Sequence, residues 1–322
     1  MKPWKNDVNV LLIFFVRDDV FAKTFEAVRE ARPRRLLLWQ DGAREGRQDD
    51  VEAVARCRRI AENIDWECEV YKNYQTQNWG CDPSTFYSHK WAFSIVDKCI
   101  VLEDDCLPMQ GFFPYCKELL DRYEDDTRIN RICGMNNIGC LESCPDDYFF
   151  TKVGSVWGWA TWKRVADSWE EDYAFLNDEY SILQSGISDK YMNTVRSHAA
   201  TGKPYWESVQ TLRKYLNSSF DIVPKTNMIH SLGVSAESTH SVSDIRLVPK
   251  KFRKAFYEME CGEPKFPLRH PKYVVENQDY PRLLANVTAN TLSTRIERYA
   301  RLLVYGNKSD IWKKIKKRLG LE

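Results

Sequence analysis

Three adjacent acids, Glu103-Asp104-Asp105, close a short apolar run at Cys99-Ile100-Val101-Leu102. Carboxylates placed side by side repel one another unless positive charge sits among them. A divalent cation meets that need, because Mg²⁺ and Mn²⁺ take oxygen ligands and keep room for phosphates. A solvated acidic turn that helps to cap a following helix is the other reading of the same residues. The run has strand length, and β-branched Ile100 and Val101 suit a buried, pleated position. Two further apolar runs also end in polar residues: residues 8–16 lead into Arg17, and residues 36–39 lead into Gln40-Asp41. In parallel α/β sheets the carboxyl ends of the strands line the ligand crevice, so three such ends describe a site. No GxxxxGK[ST] and no GxGxxG occurs. A diphosphate bound here would therefore depend mostly on a metal rather than on a glycine-rich cradle.

Positioning those ends requires strands that alternate with helices. Apolar spacing predicts helices near residues 20–32, 51–63, 84–97 and 112–123, with strands near 8–16, 36–39, 68–71, 99–102, 129–134 and 148–153. Strand alternating with helix predicts a mostly parallel, twisted α/β sheet flanked by helices. The stretch from Gly154 to Trp162 is rich in Gly and Trp and reads as a pocket wall at a strand-to-helix junction, where glycine admits close backbone approach and tryptophan gives flat apolar surface. Core packing is the plainer alternative for these tryptophans. Residues 227–240 are Ser/Thr-rich and irregular. The tail from about Pro281 reads as two helices. In the last, Ile311, Ile315 and Leu319 fall at i, i+4 and i+8 among Lys313, Lys314, Lys316, Lys317 and Arg318. Such a basic amphipathic helix either docks on an anionic membrane surface or packs on the domain.

Composition narrows the classes. The 322 residues are 43% hydrophobic and 29% charged, enough for one large domain with an appendage. A formal net charge of +1 gives no field for nucleic acid. Ten cysteines form no CxxC pair, and Cys140-Leu-Glu-Ser-Cys144 has no matching second pair, so neither a zinc site nor a disulfide framework is indicated. The first residues show no signal peptide and no stretch is long enough to span a bilayer, which reads as a cytoplasmic protein, peripheral on the membrane if the last helix docks.

Taken in order, these segments resemble the N-acetylglucosaminyltransferase I type of inverting glycosyltransferase and its bacterial GT-A relatives. The strand before Arg17, Leu38-Trp39-Gln40-Asp41-Gly42, His89-Lys90-Trp91-Ala92-Phe93, Val101-Leu102-Glu103-Asp104-Asp105 with Phe112-Phe113-Pro114-Tyr115, Gly158-Trp159 and Tyr205-Trp206-Glu207 follow that family's order across residues 8–240. His89 stands one position away from the family's histidine, and Glu207 replaces its Asp.

The resemblance implies a GT-A (nucleotide-diphospho-sugar transferase) fold. It divides the chain into a catalytic domain over 1–245, with a donor half to about 135 and an acceptor half from about 136, and a mainly helical extension over 246–322. It implies transfer of a sugar, N-acetylglucosamine in the type family, from a UDP-sugar to a hydroxyl of a glycan or glycolipid, as in surface polysaccharide synthesis, with Mn²⁺ or Mg²⁺ as cofactor. Asp105 would ligate the metal, with His240 as a further ligand. Arg17, Asp41, Glu103 and Asp104 would bind the donor, Gly158, Trp159 and Trp206 would wall the acceptor pocket, and Glu207 would be the base. Two other classes stay open. A sugar-nucleotide nucleotidyltransferase shares such a sheet and acids but usually carries a glycine-bearing basic loop after the first strand, where this chain has Arg17-Asp18-Asp19-Val20. A non-catalytic binding protein of the same fold is the third.

Overall fold

The computed structural model describes residues 1–234 and 244–306. The first half alternates as the apolar runs predict: β1 (Asn6–Phe14), α1 (Asp18–Ala31), β2 (Pro33–Gln40), α2 (Gln48–Ala61), β3 (Glu69–Tyr74), α3 (Cys81–Ile95) and β4 (Lys98–Glu103). Next come β5 (Cys106–Pro108), α4 (Phe112–Arg122), β6 (Ile129–Cys133), β7 (Tyr148–Thr151) and β8 (Trp159–Trp162). Helices α5 (Lys163–Ala166), α6 (Glu179–Gln184), α7 (Asp189–Ala199) and α8 (Trp206–Leu216) lead to β9 (Phe220–Pro224) and β10 (Ile229–Ser231). The chain then adds α9 (Lys250–Phe256), α10 (Asp279–Thr288) and α11 (Leu292–Tyr305).

Eight strands form one sheet in the order β3-β2-β1-β4-β8-β6-β9-β7, and β5 pairs with β10 in a small second sheet. Pairings β3-β2, β2-β1, β1-β4 and β6-β9 are parallel, whereas β8 and β7 run antiparallel to their neighbours. The chain thus has an α/β arrangement, a mostly parallel sheet with helices against it. Val10, Leu11, Leu12, Leu36, Leu37, Leu38, Ile100, Val101 and Leu102 are fully or almost fully buried. Strands apolar on both faces are what a sheet covered on both sides requires. Helix α1 turns Phe21, Phe25 and Val28 onto that core and ends at Ala31, ahead of Pro33.

Register aligns the strand ends. Ile13 pairs with Glu103 and Phe14 with Gln40, so Arg17, Asp41 and the three acids emerge along one edge. The Gly-Trp stretch leads from β7 into α5, the strand-to-helix junction expected, but itself contains a further strand. Trp159-Ala-Thr-Trp162 is an interior strand, β8, inserted antiparallel between β4 and β6. Its four residues are buried on both faces, so no alternation marked it as a strand. Gly158 enters it at φ +61°, where a Cβ would lie 2.5 Å from the Ile229 side chain, so only glycine fits.

The segment after residue 246 packs on the β7 edge. Tyr280 is buried against Phe149, and Asn277 N–H donates to the Phe150 carbonyl at 2.8 Å. Leu292, Ile296, Tyr299 and Leu303 of α11, at i, i+4, i+7 and i+11, are exposed. No helix among the described residues is long and apolar enough to cross a membrane. All ten cysteines are free thiols, so Cys140 and Cys144 form no bridge. His240 and the basic helix expected over 311–319 lie outside the described residues.

Candidate active site

The acid motif occupies the turn after β4. Asp104 and Asp105 are buried. Arg17, in the three-residue link between β1 and α1, reaches both: Nη2 and Nε bond the Asp104 carboxylate and Nη1 lies 3.0 Å from Asp105 Oδ2. Thr24 Oγ1 donates to the Asp104 carbonyl at 2.8 Å, and Leu232 N–H donates to the Asp105 carbonyl at 2.8 Å. The chain around 231–233 is pressed onto the acids, since a Cβ on Gly233 would stand 2.8 Å from Asp105 Oδ2.

One guanidinium does not balance three carboxylates. Burial, then Asp105, Asp104 and Glu207, push Glu103 well above the usual carboxylate range, with Arg17 opposing. Burial pushes Asp104 up to about 6 despite Arg17. Burial works against the Arg17 cation, yet Asp104 and Asp105 hold its pKa above the ordinary value. Among the described residues, local negative charge is therefore in excess, which fits a cation. The described residues contain no group of three His, Cys, Asp or Glu able to hold a metal by themselves. This donor set suits a hard cation held by one or two carboxylates and completed by phosphate oxygens and water.

A cavity of about 170 Å³ opens beside the acids, lined by Phe15, Arg17, Arg44, Asn78, Cys81 and Glu103 among others. Asp41 lies on its wall at the end of β2, as expected, but its carboxylate is engaged by the protein. It accepts the N–H groups of Gly42 (2.9 Å), Trp79 (2.9 Å) and Gly80 (3.0 Å) and the Asn78 side-chain amide (3.1 Å). Burial raises its pKa and these backbone donors oppose the rise. Asp41 thus anchors the 77–80 loop rather than offering a free acceptor to a base. The loop fits so closely that a Cβ on Gly42 would meet the Gln77 backbone at 2.5 Å.

A second cavity, of about 450 Å³, includes Glu207, Arg131, Lys152, Trp157, Tyr191 and Lys214 in its wall. Glu207 stands exposed in the first turn of α8, near enough to the acid motif to raise Glu103. The structure brings Glu207 and the acids together but not the expected tryptophan wall. Trp159 and Trp206 are buried and stack on each other, ring centroids 5.9 Å apart and 8° from parallel. They clasp His89, which is fully buried 5.2 Å from each ring, with neither imidazole nitrogen in good hydrogen-bond geometry among the described residues. Gly158 is likewise buried. The wall is formed instead by the preceding residues, Gly154 to Trp157. The tryptophans act one step back: Trp206 in the core fixes the start of α8 and with it Glu207.

Sequence reasoning missed the floor of this cavity. Arg131 on β6 and Lys214 on α8, both buried, converge on buried Asp221 of β9 at 2.9 and 2.6 Å. Asn130 and the Gly154 N–H also donate to Asp221. Burial would raise Asp221, but Arg131 and Lys214 hold it below the usual range. The available signal was a charge inside each apolar strand, Ile-Asn-Arg-Ile-Cys and Phe-Asp-Ile-Val.

Fold and site together define an α/β domain whose acids and first cavity lie at the carboxyl ends of the parallel strands. No family model matches the chain, and no curated protein is similar to it in sequence. Among solved structures, the inositol-1-phosphate CTP transferase from T. maritima is similar with a TM-score of 0.36 and 11% identity, over 69% of this chain and 86% of that one. The mannose-1-phosphate geranyltransferase from Thermus thermophilus is similar with a TM-score of 0.35 and 10% identity, over 71% and 75%. At such TM-scores the likeness carries no argument about substrate or reaction.

Proposed function

We propose that this chain is a metal-dependent inverting glycosyltransferase of the N-acetylglucosaminyltransferase I type, moving a sugar from a UDP-sugar to a hydroxyl of a glycan or glycolipid. The observation that carries the reading is one juxtaposition. An exposed carboxylate, Glu207, faces its own cavity within electrostatic reach of a buried acid cluster that has too little positive charge. Asp105, with Glu103 beside it, would hold Mn²⁺ or Mg²⁺ together with the donor diphosphate. The cation when bound supplies Lewis-acid neutralisation of the leaving group. Arg17 holds Asp104 and Asp105 in place and adds positive charge at the phosphate side. Glu207 takes the proton from the acceptor hydroxyl as that oxygen attacks the anomeric carbon, and general-base help of this kind is worth ~10²–10⁴ in rate. The longer Glu side chain suits a base carried on the first turn of a helix.

Nucleotidyl transfer is the second reading, since such enzymes use a similar sheet and acids. Against it stands the link from β1 to α1. It spans only Phe15 to Arg17 and carries no glycine. Incubation with nucleotide sugars, Mn²⁺ and a panel of glycans tests the two. Free UDP supports sugar transfer, pyrophosphate from UTP and a sugar phosphate refutes it, and neither product points to a binding protein.

The exposed apolar stripe of α11 precedes six basic residues between 308 and 318, Lys308, Lys313, Lys314, Lys316, Lys317 and Arg318. That pairing supports docking on an anionic membrane surface, where a glycolipid acceptor would lie.

A further inference from the structure

The floor of the Glu207 cavity carries more positive charge than its own pairing uses. Arg131 and Lys214 are each about 2% exposed and share a single carboxylate, Asp221. Two of the three guanidinium nitrogens of Arg131, Nε and Nη1, are buried and have no hydrogen-bond partner among the described residues. The third, Nη2, serves Asp221 and, at 3.5 Å, the Gly154 carbonyl. Lys152, half-buried, adds a third cation to the cavity wall. The nearby acid Glu276 accepts the Lys152 backbone N–H at 3.1 Å, and Glu207 lines the same cavity. A buried cation whose donors are unsatisfied costs free energy. A neutral sugar would leave that cost in place. An anionic group in the cavity would relieve it, because charges interact strongly through a low-dielectric wall.

We infer that the acceptor bound in this cavity is an acidic sugar, bearing a carboxylate or a phosphate, whose charge is met by Arg131, Lys214 and Lys152. This specificity rests on Glu207 being the base of a transfer reaction, but the charge preference is measured without turnover. NMR titrations of the full chain compare methyl glucuronide, glucose 6-phosphate and methyl glucoside, with inorganic phosphate as a control. At least one charged sugar should bind about tenfold more tightly than the neutral one, the gain of one charge-assisted contact. The two charged probes distinguish carboxylate from phosphate. Lys152→Glu changes a half-buried residue at the cavity and should remove most of the preference with the fold intact. Equal affinity for all three sugars overturns the inference. So does a preference that survives in Lys152→Glu, or binding of inorganic phosphate as tight as that of the charged sugars. UDP-sugar affinity, measured in the same samples, keeps the two readings apart. Loss of the charge preference with donor binding intact refutes the acidic acceptor alone. Charge preference without donor binding refutes sugar transfer and leaves an anion site.

Discussion

Replacing His89 with leucine should make the fold less sensitive to acid. The imidazole sits among Trp159, Trp169 and Trp206, fully buried, and among the described residues its nitrogens meet nothing better than a weak approach to the Thr85 backbone. Burial pushes its pKa from 6.5 down to about 3, and the backbone at Thr85 opposes this only in part. Above pH 6.5 the ring is neutral in the folded and unfolded chains, and its contribution to stability is constant. As pH falls through 6.5 the unfolded chain takes up a proton that the folded chain refuses. Stability is then lost by about 1.4 kcal/mol per pH unit until the folded pKa near 3 is reached. At pH 5 the loss from this one residue is about 2 kcal/mol, a large fraction of an ordinary domain's stability. The raised acids, Glu103 and Asp104, act in the opposite sense, so the parent curve alone does not isolate His89. The difference between parent and variant does. Urea unfolding of the parent and His89→Leu, each at pH 7.5 and pH 5.0, gives that difference. Leucine nearly conserves volume and removes two unsatisfied nitrogens, so the variant should be at least as stable as the parent at pH 7.5. It should lose about 2 kcal/mol less on going to pH 5.0. Parallel losses would refute the reasoning, because the imidazole would then be hydrogen-bonded or charged in the fold.

Asp105→Asn should cut metal-dependent turnover of a UDP-sugar by at least about 100-fold, comparable to losing a key electrostatic group, and undiminished Mn²⁺-dependent release of UDP would remove the cation from this site. Glu207→Gln should keep donor affinity, read by thermal shift, while transfer falls by ~10²–10⁴; transfer at the parent rate would assign the base elsewhere. Asp221→Asn leaves Arg131 and Lys214 buried without a counter-ion and should cost about 3–5 kcal/mol in chemical unfolding, whereas a loss under 1 kcal/mol would mean that solvent reaches the pair. Cosedimentation with phosphatidylserine vesicles should fall when the chain is shortened after Gly306, and partitioning equal to that of the full chain would exclude the basic segment from membrane contact.

The parallel half of the sheet was legible because β1, β2 and β4 each carry an apolar run that stops at a charge or turn. The same break exposed Arg17, Asp41 and the three acids. Strand β8 was hidden for the converse reason: Trp-Ala-Thr-Trp is buried on both faces, and its partners β4 and β6 lie far from it in the chain. Residue type could not separate a tryptophan that walls a pocket from one that fills a core. Trp157 lines the cavity and Trp159, two positions on, does not. Nor could it show that the Asp41 carboxylate is already engaged, since its donors come from a loop almost forty residues away. The Arg131–Asp221 pair joins residues 90 apart and becomes visible only when β6 and β9 lie side by side.

Cys81 opens α3 on the wall of the cavity beside the acids, and it is exposed. Its crowded surroundings, and then Glu103, Asp82, Asp104 and Glu207, hold the thiol well above its ordinary pKa. The acid cluster therefore quiets a neighbouring nucleophile, since only the thiolate reacts. Charge that settles among the acids should wake it. Iodoacetamide labelling at Cys81, followed by peptide mass spectrometry, makes the chain its own footprinting reagent. Its rate reads the electrostatic state of the cluster without any knowledge of which sugar is carried or where it is delivered.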